Sequence, residues 1–160
     1  MRKILVAIDG SEGALRAVDY VGRQFSGISD LGITLFYVSP GVPPELWDDG
    51  HILTEAEKIA RQEVLDQWLR NQKRELDSIF QPAIEALIAR GMNPQQIETK
   101  TASESVRNTP ECIVAEAKTG DYLTLVVGRC GLHRTSHALL GSVVDKIINR
   151  GAGIAACVVG

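Results

Sequence analysis

Long apolar runs, cysteines and excess positive charge are all scarce in this chain of 160 residues. No stretch approaches the ~20 apolar residues that span a bilayer, so we expect no membrane association. The formal net charge of -3 at pH 7 supplies no general basic field, and we therefore expect no nucleic-acid partner. The three cysteines are odd in number and lack metal-ligand spacing, which favours a reducing, cytoplasmic setting.

Short β-branched segments alternate with longer helical patterns along the sequence. Strands are predicted at residues 3–8, 32–38, 96–101, 122–127 and 153–159. Helices are predicted at residues 11–25, 55–90, 105–118 and 141–150, with Pro82 kinking or dividing the second. All strands except 96–101 are apolar at nearly every position, which is typical of strands buried on both faces. The alternation predicts one α/β domain over 1–160, with a doubly wound parallel sheet and helices on both faces.

The connection at 39–54 is rich in proline, glycine and aspartate and has no periodicity. Loops of this length are uncommon and are usually either functional or disordered. Because it follows the second strand, we expect it to lie over the carboxyl edge of the sheet.

A glycine pattern follows the fourth predicted strand. Gly128, Gly131 and Gly141-Ser142 meet the spacing G-x2-G-x9-G-[S/T], and Asp9 ends the first strand. In open parallel sheets, ligands bind outside the carboxyl ends of the strands, where the strand order reverses. Glycines allow backbone N–H groups to surround phosphate oxygens, and a helix N-terminus also favours an anion. The pattern therefore predicts a phosphate-binding loop.

At this point the sequence resembles the universal stress protein family, of the ATP-binding type. The resemblance covers essentially the whole chain and includes the opening "ILVAIDGSE", the second strand ending in "YVSP", and "TLVVGRCG" before the loop. It implies an adenine nucleotide alpha hydrolase-like fold with strand order 3-2-1-4-5, and it implies ATP bound with Mg²⁺ or Mn²⁺. The residues that it implies around ribose and phosphates are Asp9, Gly128, Arg129, Gly131, Gly141 and Ser142. The backbone of Val38 is implied to contact adenine.

Several of these residues also have structural explanations. Asp9, Ser11 and Ser142 are residue types that cap helices. Arg129, His133 and Arg134 are either phosphate partners or a solvated loop face, while His133 and His137 lack an evident third metal ligand. Trp47 either covers a base or packs on the next helix, and Cys130 is an accessible thiol without an assigned role.

The resemblance implies a cytoplasmic, nucleotide-dependent module of stress adaptation. We assign no catalytic residue, because no Walker A lysine pattern is evident, and expect slow or no hydrolysis. The alternatives are a scaffold of the same fold that binds no nucleotide and a slow ATPase; an unidentified protein partner is also compatible. Since 153–159 contains no proline or lysine to discourage edge pairing, we expect a homodimer through this strand, although "RGAGIAACVVG" departs from the usual family ending.

Overall fold

The computed structural model describes residues 2–47, 50, 52–104, 108–130, 141–150 and 153–160, excluding the side chains of Glu45 and Ser142. Its strands are β1 (Arg2–Ala7), β2 (Leu31–Ser39), β3 (Ile97–Ser103), β4 (Tyr122–Gly128) and β5 (Ala155–Val159). Its α-helices are α1 (Glu12–Phe25), α2 (Glu55–Ala89), α3 (Thr109–Thr119) and α4 (Ser142–Arg150). Two short 3-10 helices lie at Pro44–Leu46 and Pro94–Gln96.

The five strands form one sheet in the order β3-β2-β1-β4-β5, and every neighbouring pair is parallel. This confirms the predicted fold class and strand order. The side chains of β1 alternate between two cores: Ile4 and Val6 pack with α1 and α2, whereas Leu5 packs with α3 and α4. The strand order reverses between β1 and β4, so the carboxyl ends of these strands meet at the position expected for a ligand.

The helix boundaries follow the capping signals closely. Thr54 and Glu57 form the capping box of α2, and this helix continues through Pro82, so of the two predicted effects of this proline, a kink or a division, the division is wrong. Buried Ile79 and Ala83 hold the helix on both sides of the proline against the core, which opposes the break that a lost N–H would favour. Helix α3 begins at Thr109 after the N-cap Asn108, later than predicted; residues 105–107 lie outside the described residues.

The two edge strands differ in exposure and charge. Strand β3 is partly exposed along its length and carries Glu98 and Lys100, while β5 carries only small or apolar side chains. Strand β5 is the shorter of the two, with exposed alanines at its start. Among the described helices, none is both long and apolar enough to cross a membrane.

Candidate functional site

A cleft of about 290 Å³ opens at the carboxyl ends of β1, β2 and β4 and extends to the first turns of α3 and α4. Its apolar wall includes Ile113 from α3, Val127 from β4 and Val144 from α4. The volume lies at the lower end of the range for small-molecule sites, which combine apolar walls with a few polar groups.

The end of β2 is paired with β3 but not with β1, and its open side lies at this cleft. The last residue of β2 paired with β1 is Phe36, whose carbonyl accepts from the Ile8 N–H at 2.9 Å. Successive residues of a strand direct their peptide groups to opposite sides, so Val38 faces the same side as Phe36. Strand β1 has ended there, and within the described part of the chain the N–H and C=O of Val38 have no strand partner on that side.

The end of β1 turns directly into α1. The N–H of Ser11 donates to Asp9 Oδ1 at 3.0 Å, and Ser11 Oγ accepts from the Ala14 N–H at 3.1 Å. Ser11 is thus the N-cap of α1, and Asp9 stabilises the turn before it. Both residues also line the cleft, so the structural role of Asp9 and its predicted ligand role are compatible.

The end of β4 packs against the first turn of α1 through two glycines. A Cβ on Gly128 would lie 2.5 Å from the carbonyl group of Gly13, and a Cβ on Gly13 would lie 2.2 Å from the carbonyl oxygen of Cys130. Real Cβ atoms do not approach backbone atoms this closely. Glycine at 128 is therefore required by strand-helix packing, a reason different from the phosphate clearance that the sequence indicated.

Backbone hydrogen bonds join the start and the end of the glycine loop. The Arg129 N–H donates to Val159 C=O at 2.7 Å, and the Gly141 N–H donates to Arg129 C=O at 2.9 Å. Gly141 C=O accepts from the Asp145 N–H at 3.0 Å, which makes Gly141 the cap of α4. The Gly141 N–H is thus directed at protein, and the donors that remain at this end belong to the next residues of α4.

Four of the predicted site residues lie together in the cleft: Asp9, Val38, Gly128 and Gly141. The side chain of Arg129 is exposed and lies near Gly160, and the described lining does not include it. Ser142 is the first residue of α4, but its side chain lies outside the described residues. Gly131, His133, Arg134 and His137 also lie outside them.

The profile of the universal stress protein family matches residues 1–152. The chain belongs to this family. Among curated proteins, no sequence match is found. The match of the family profile ends before β5, the segment whose sequence departs from the usual family ending.

Solved structures of universal stress proteins share the fold. A family protein from Arabidopsis thaliana with AMP bound is 15% identical, with 99% of this chain and 91% of that chain covered and a TM-score of 0.62. The Archaeoglobus fulgidus protein in complex with dAMP is 17% identical, with coverage of 100% and 98% and a TM-score of 0.59. A universal stress protein in complex with cAMP is 21% identical, with coverage of 99% and 96% and a TM-score of 0.57.

In this member of the universal stress protein family, the cleft also contains polar residues that the sequence did not indicate. Glu104 and Thr109 line it beside Val38. Strand β3 extends two residues beyond the predicted Thr101, so Glu104 directly follows the strand at the carboxyl edge. The sequence signal that could have indicated Glu104 is an acidic residue in the short segment between a strand and the helix start at Asn108.

Tyr37 connects the end of β2 to α2. Its hydroxyl donates to Glu75 Oε1 at 2.7 Å. Burial, followed by this hydrogen bond and the negative charge of Glu75, raises the pKa of Tyr37 well above its ordinary value of 10.0. The hydroxyl therefore remains a donor across the physiological pH range.

Carboxylates are the charged groups of the described lining, at Asp9 and Glu104. In the part of the chain that the structure describes, no three histidine, cysteine, aspartate or glutamate side chains form a cluster suited to a metal ion. All three cysteines have free thiols; Cys112 is buried, whereas Cys130 and Cys157 are partly exposed.

Proposed function

We propose that this protein binds an adenine nucleotide in the cleft, as ATP with Mg²⁺ or Mn²⁺, and acts as a nucleotide-dependent regulatory module of stress adaptation. The observation that carries the proposal is the backbone of Val38, whose N–H and C=O face the cleft beyond the end of β1. One donor and one acceptor on adjacent peptide groups match the ring nitrogen and amino group of adenine. The AMP, dAMP and cAMP in the similar structures support the same ligand class.

The first turn of α4 suits the phosphates. Asp145 is the first residue of this helix to donate along it, to Gly141. The N–H groups of the three preceding residues have no intrahelical acceptor, and the helix dipole adds positive potential at this end. With adenine on Val38 and phosphates toward α4, the ribose would lie near Asp9 and Gly128.

A divalent cation fits the chemistry of the polar rim. Mg²⁺ is usually held by one or two carboxylates together with substrate phosphates, and Asp9 is the carboxylate on the β1 side of the cleft. The charged groups of the described lining are two carboxylates, which cannot neutralise phosphate charge, so the cation would do so. The contributions proposed for Arg129, Gly131 and Ser142 are to the same phosphate region.

We expect hydrolysis to be slow or absent, because phosphoryl transfer needs a positioned water, a metal held in register and charge stabilisation. A phosphate-release rate at or above ~1 per second, as in working phosphoryl-transfer enzymes, would favour the ATPase alternative. A reducing cytoplasmic location, a homodimer through β5 and an unidentified protein partner complete the proposal.

The direct test is to denature freshly purified protein and identify any released nucleotide by chromatography. We expect an adenine nucleotide. If purification removes the bound nucleotide, calorimetric titration of the nucleotide-free protein with Mg-ATP measures binding instead. No released nucleotide together with no heat of binding would reject the proposal and favour the scaffold alternative.

A further inference from the structure

Glu104 occupies the side of the cleft next to Val38. Its N–H donates to Ser39 C=O at 3.0 Å, which anchors it at the end of β2. Its Oε1 accepts from the Thr109 N–H at 2.7 Å and also from the Thr109 hydroxyl. One carboxylate oxygen is thus held by the first turn of α3, and the other has no hydrogen-bond partner within the described residues.

Glu104 and the side chain of Val38 lie on the same face of the sheet. Glu104 contacts α3 through its hydrogen bonds to Thr109, and Lys100 on β3 bonds to Glu116 of the same helix at 3.1 Å. Val38 belongs to the core that α3 and α4 cover. Val38 and Glu104 both line the cleft, so a flat ligand edge against the Val38 backbone would share that space with the Glu104 carboxylate.

From this arrangement we infer that Glu104 selects a purine with a 6-amino group, by accepting one of its two amino hydrogens. This inference rests on the proposed nucleotide site. Val38 C=O accepts only one of the hydrogens, which leaves the second for another acceptor, and a carboxylate is the strongest acceptor in the described lining. A purine with a 6-oxo group would set oxygen against both acceptors.

The charge of Glu104 also orients the ligand. A carboxylate at the α3 end repels phosphates, whereas the N-terminus of α4 attracts them. Both ends of the cleft thus favour the same orientation, with the base toward Glu104.

The test compares AMP with purine riboside 5′-monophosphate, which lacks the amino group, in calorimetric titrations of wild type and Glu104→Gln. The glutamine side chain retains an oxygen for the Thr109 N–H but replaces the other oxygen with a donor. We expect the preference for AMP to fall about tenfold, the loss of one hydrogen bond to a charged acceptor. The affinity for purine riboside monophosphate should change less than about twofold, because that ligand offers Glu104 no hydrogen.

Glu98→Gln is the matched control, since Glu98 is an exposed carboxylate on β3, the strand that precedes Glu104, and pairs with Lys3 outside the cleft lining. It should leave the preference unchanged. Equal weakening of both ligands by Glu104→Gln would show a structural role through Thr109 and overturn the inference, as would an unchanged preference. A wild type that binds neither ligand would reject the nucleotide site itself, whereas binding without altered preference rejects only the role of Glu104.

Discussion

The ends of β2 and β4 flank β1 at the same cleft, but their backbones are used in different ways. Beyond Phe36, β2 is no longer paired with β1, although it remains paired with β3, so the peptide groups of Val38 face the cleft. Beyond Gly128, β4 remains engaged: Arg129 bonds to Val159 and Gly141, and Gly128 packs against Gly13. The first end leaves peptide groups open to the cleft, and the second is held against α1, β5 and the start of α4.

This difference shows that one glycine motif can combine positions with separate physical tasks. Gly128 is required by packing against α1, Gly141 caps α4, and both border the cleft. The position that presents the open backbone carries valine, a residue with no distinctive chemistry in its side chain. A candidate ligand site made of peptide groups, such as the one proposed here, is therefore visible in the topology more readily than in residue types.

The largest expected effect is a loss of folding stability through changes at the end of β4. Gly13→Ala and Gly128→Ala should each lower the free energy of unfolding by about 3 kcal/mol, because their Cβ atoms would overlap backbone atoms. An ordinary helical Gly→Ala change is instead stabilising by about 0.5–1 kcal/mol. Chemical denaturation measures the difference. Gly27→Ala is the control, since Gly27 has open space around it; equal stability of all three variants would contradict the packing explanation.

The next effect concerns ligand affinity. Gly141→Val and Gly131→Val should leave a folded domain whose affinity for Mg-ATP falls at least about 100-fold, equivalent to losing two charge-assisted hydrogen bonds. A branched side chain would occupy the space proposed for the phosphates. Calorimetry measures the affinities, and far-UV circular dichroism shows whether the variants are folded. Gly27→Val is the matched control, since Gly27 has open space around it. Wild-type affinity in both variants would refute the phosphate loop.

The individual strands and helices could be predicted from sequence because their signals are local. Buried parallel strands appear as apolar runs, and caps such as Thr54-Glu57 mark helix starts. The order of strands was available only through the family resemblance, because pairing between distant segments has no local signature. Whether Pro82 kinks or divides α2 was left open for the same reason, since packing against the core decides how a helix passes a local breaker.

The candidate site was predictable where a motif carries it and not where tertiary contacts create it. Asp9, Val38, Gly128 and Gly141 were assigned through the glycine spacing and the family resemblance, and they meet in the cleft. Gly13 was missed because its packing against Cys130 joins residues that are distant in sequence. Glu104 was missed because its hydrogen bonds are made to Thr109 of another element, α3. No periodicity reports such contacts.

The link from Arg129 to Val159 joins the β4 end to the proposed dimer strand. Ala156→Lys should raise the dimer dissociation constant at least about tenfold, because it places a charge on an exposed apolar edge strand. Val158→Lys should do the same, but Val158 is half-buried and its stability must be measured as well. Sedimentation velocity provides the mass.

Thr99→Lys is the control for this comparison, because Thr99 is exposed on β3, the opposite edge strand. It should leave the mass unchanged. A wild type that is monomeric at micromolar concentration, or two β5 variants that dimerise normally, would show that the interface is wrong.

The smallest effect tests how the open end of β2 is held in place. Tyr37→Phe removes the hydrogen bond to Glu75 and should lower the free energy of unfolding by about 1 kcal/mol at neutral pH. The folded state raises the pKa of Tyr37, chiefly through burial, so this contribution is present below the ordinary value of 10.0 and is lost as the pH rises above it. Urea unfolding of wild type and variant at neutral and alkaline pH measures the difference, and Tyr20→Phe controls for removal of a phenol elsewhere. A stability difference that stays constant across alkaline pH would mean that folding does not raise the pKa of Tyr37, which would contradict the burial of its hydroxyl at the end of β2.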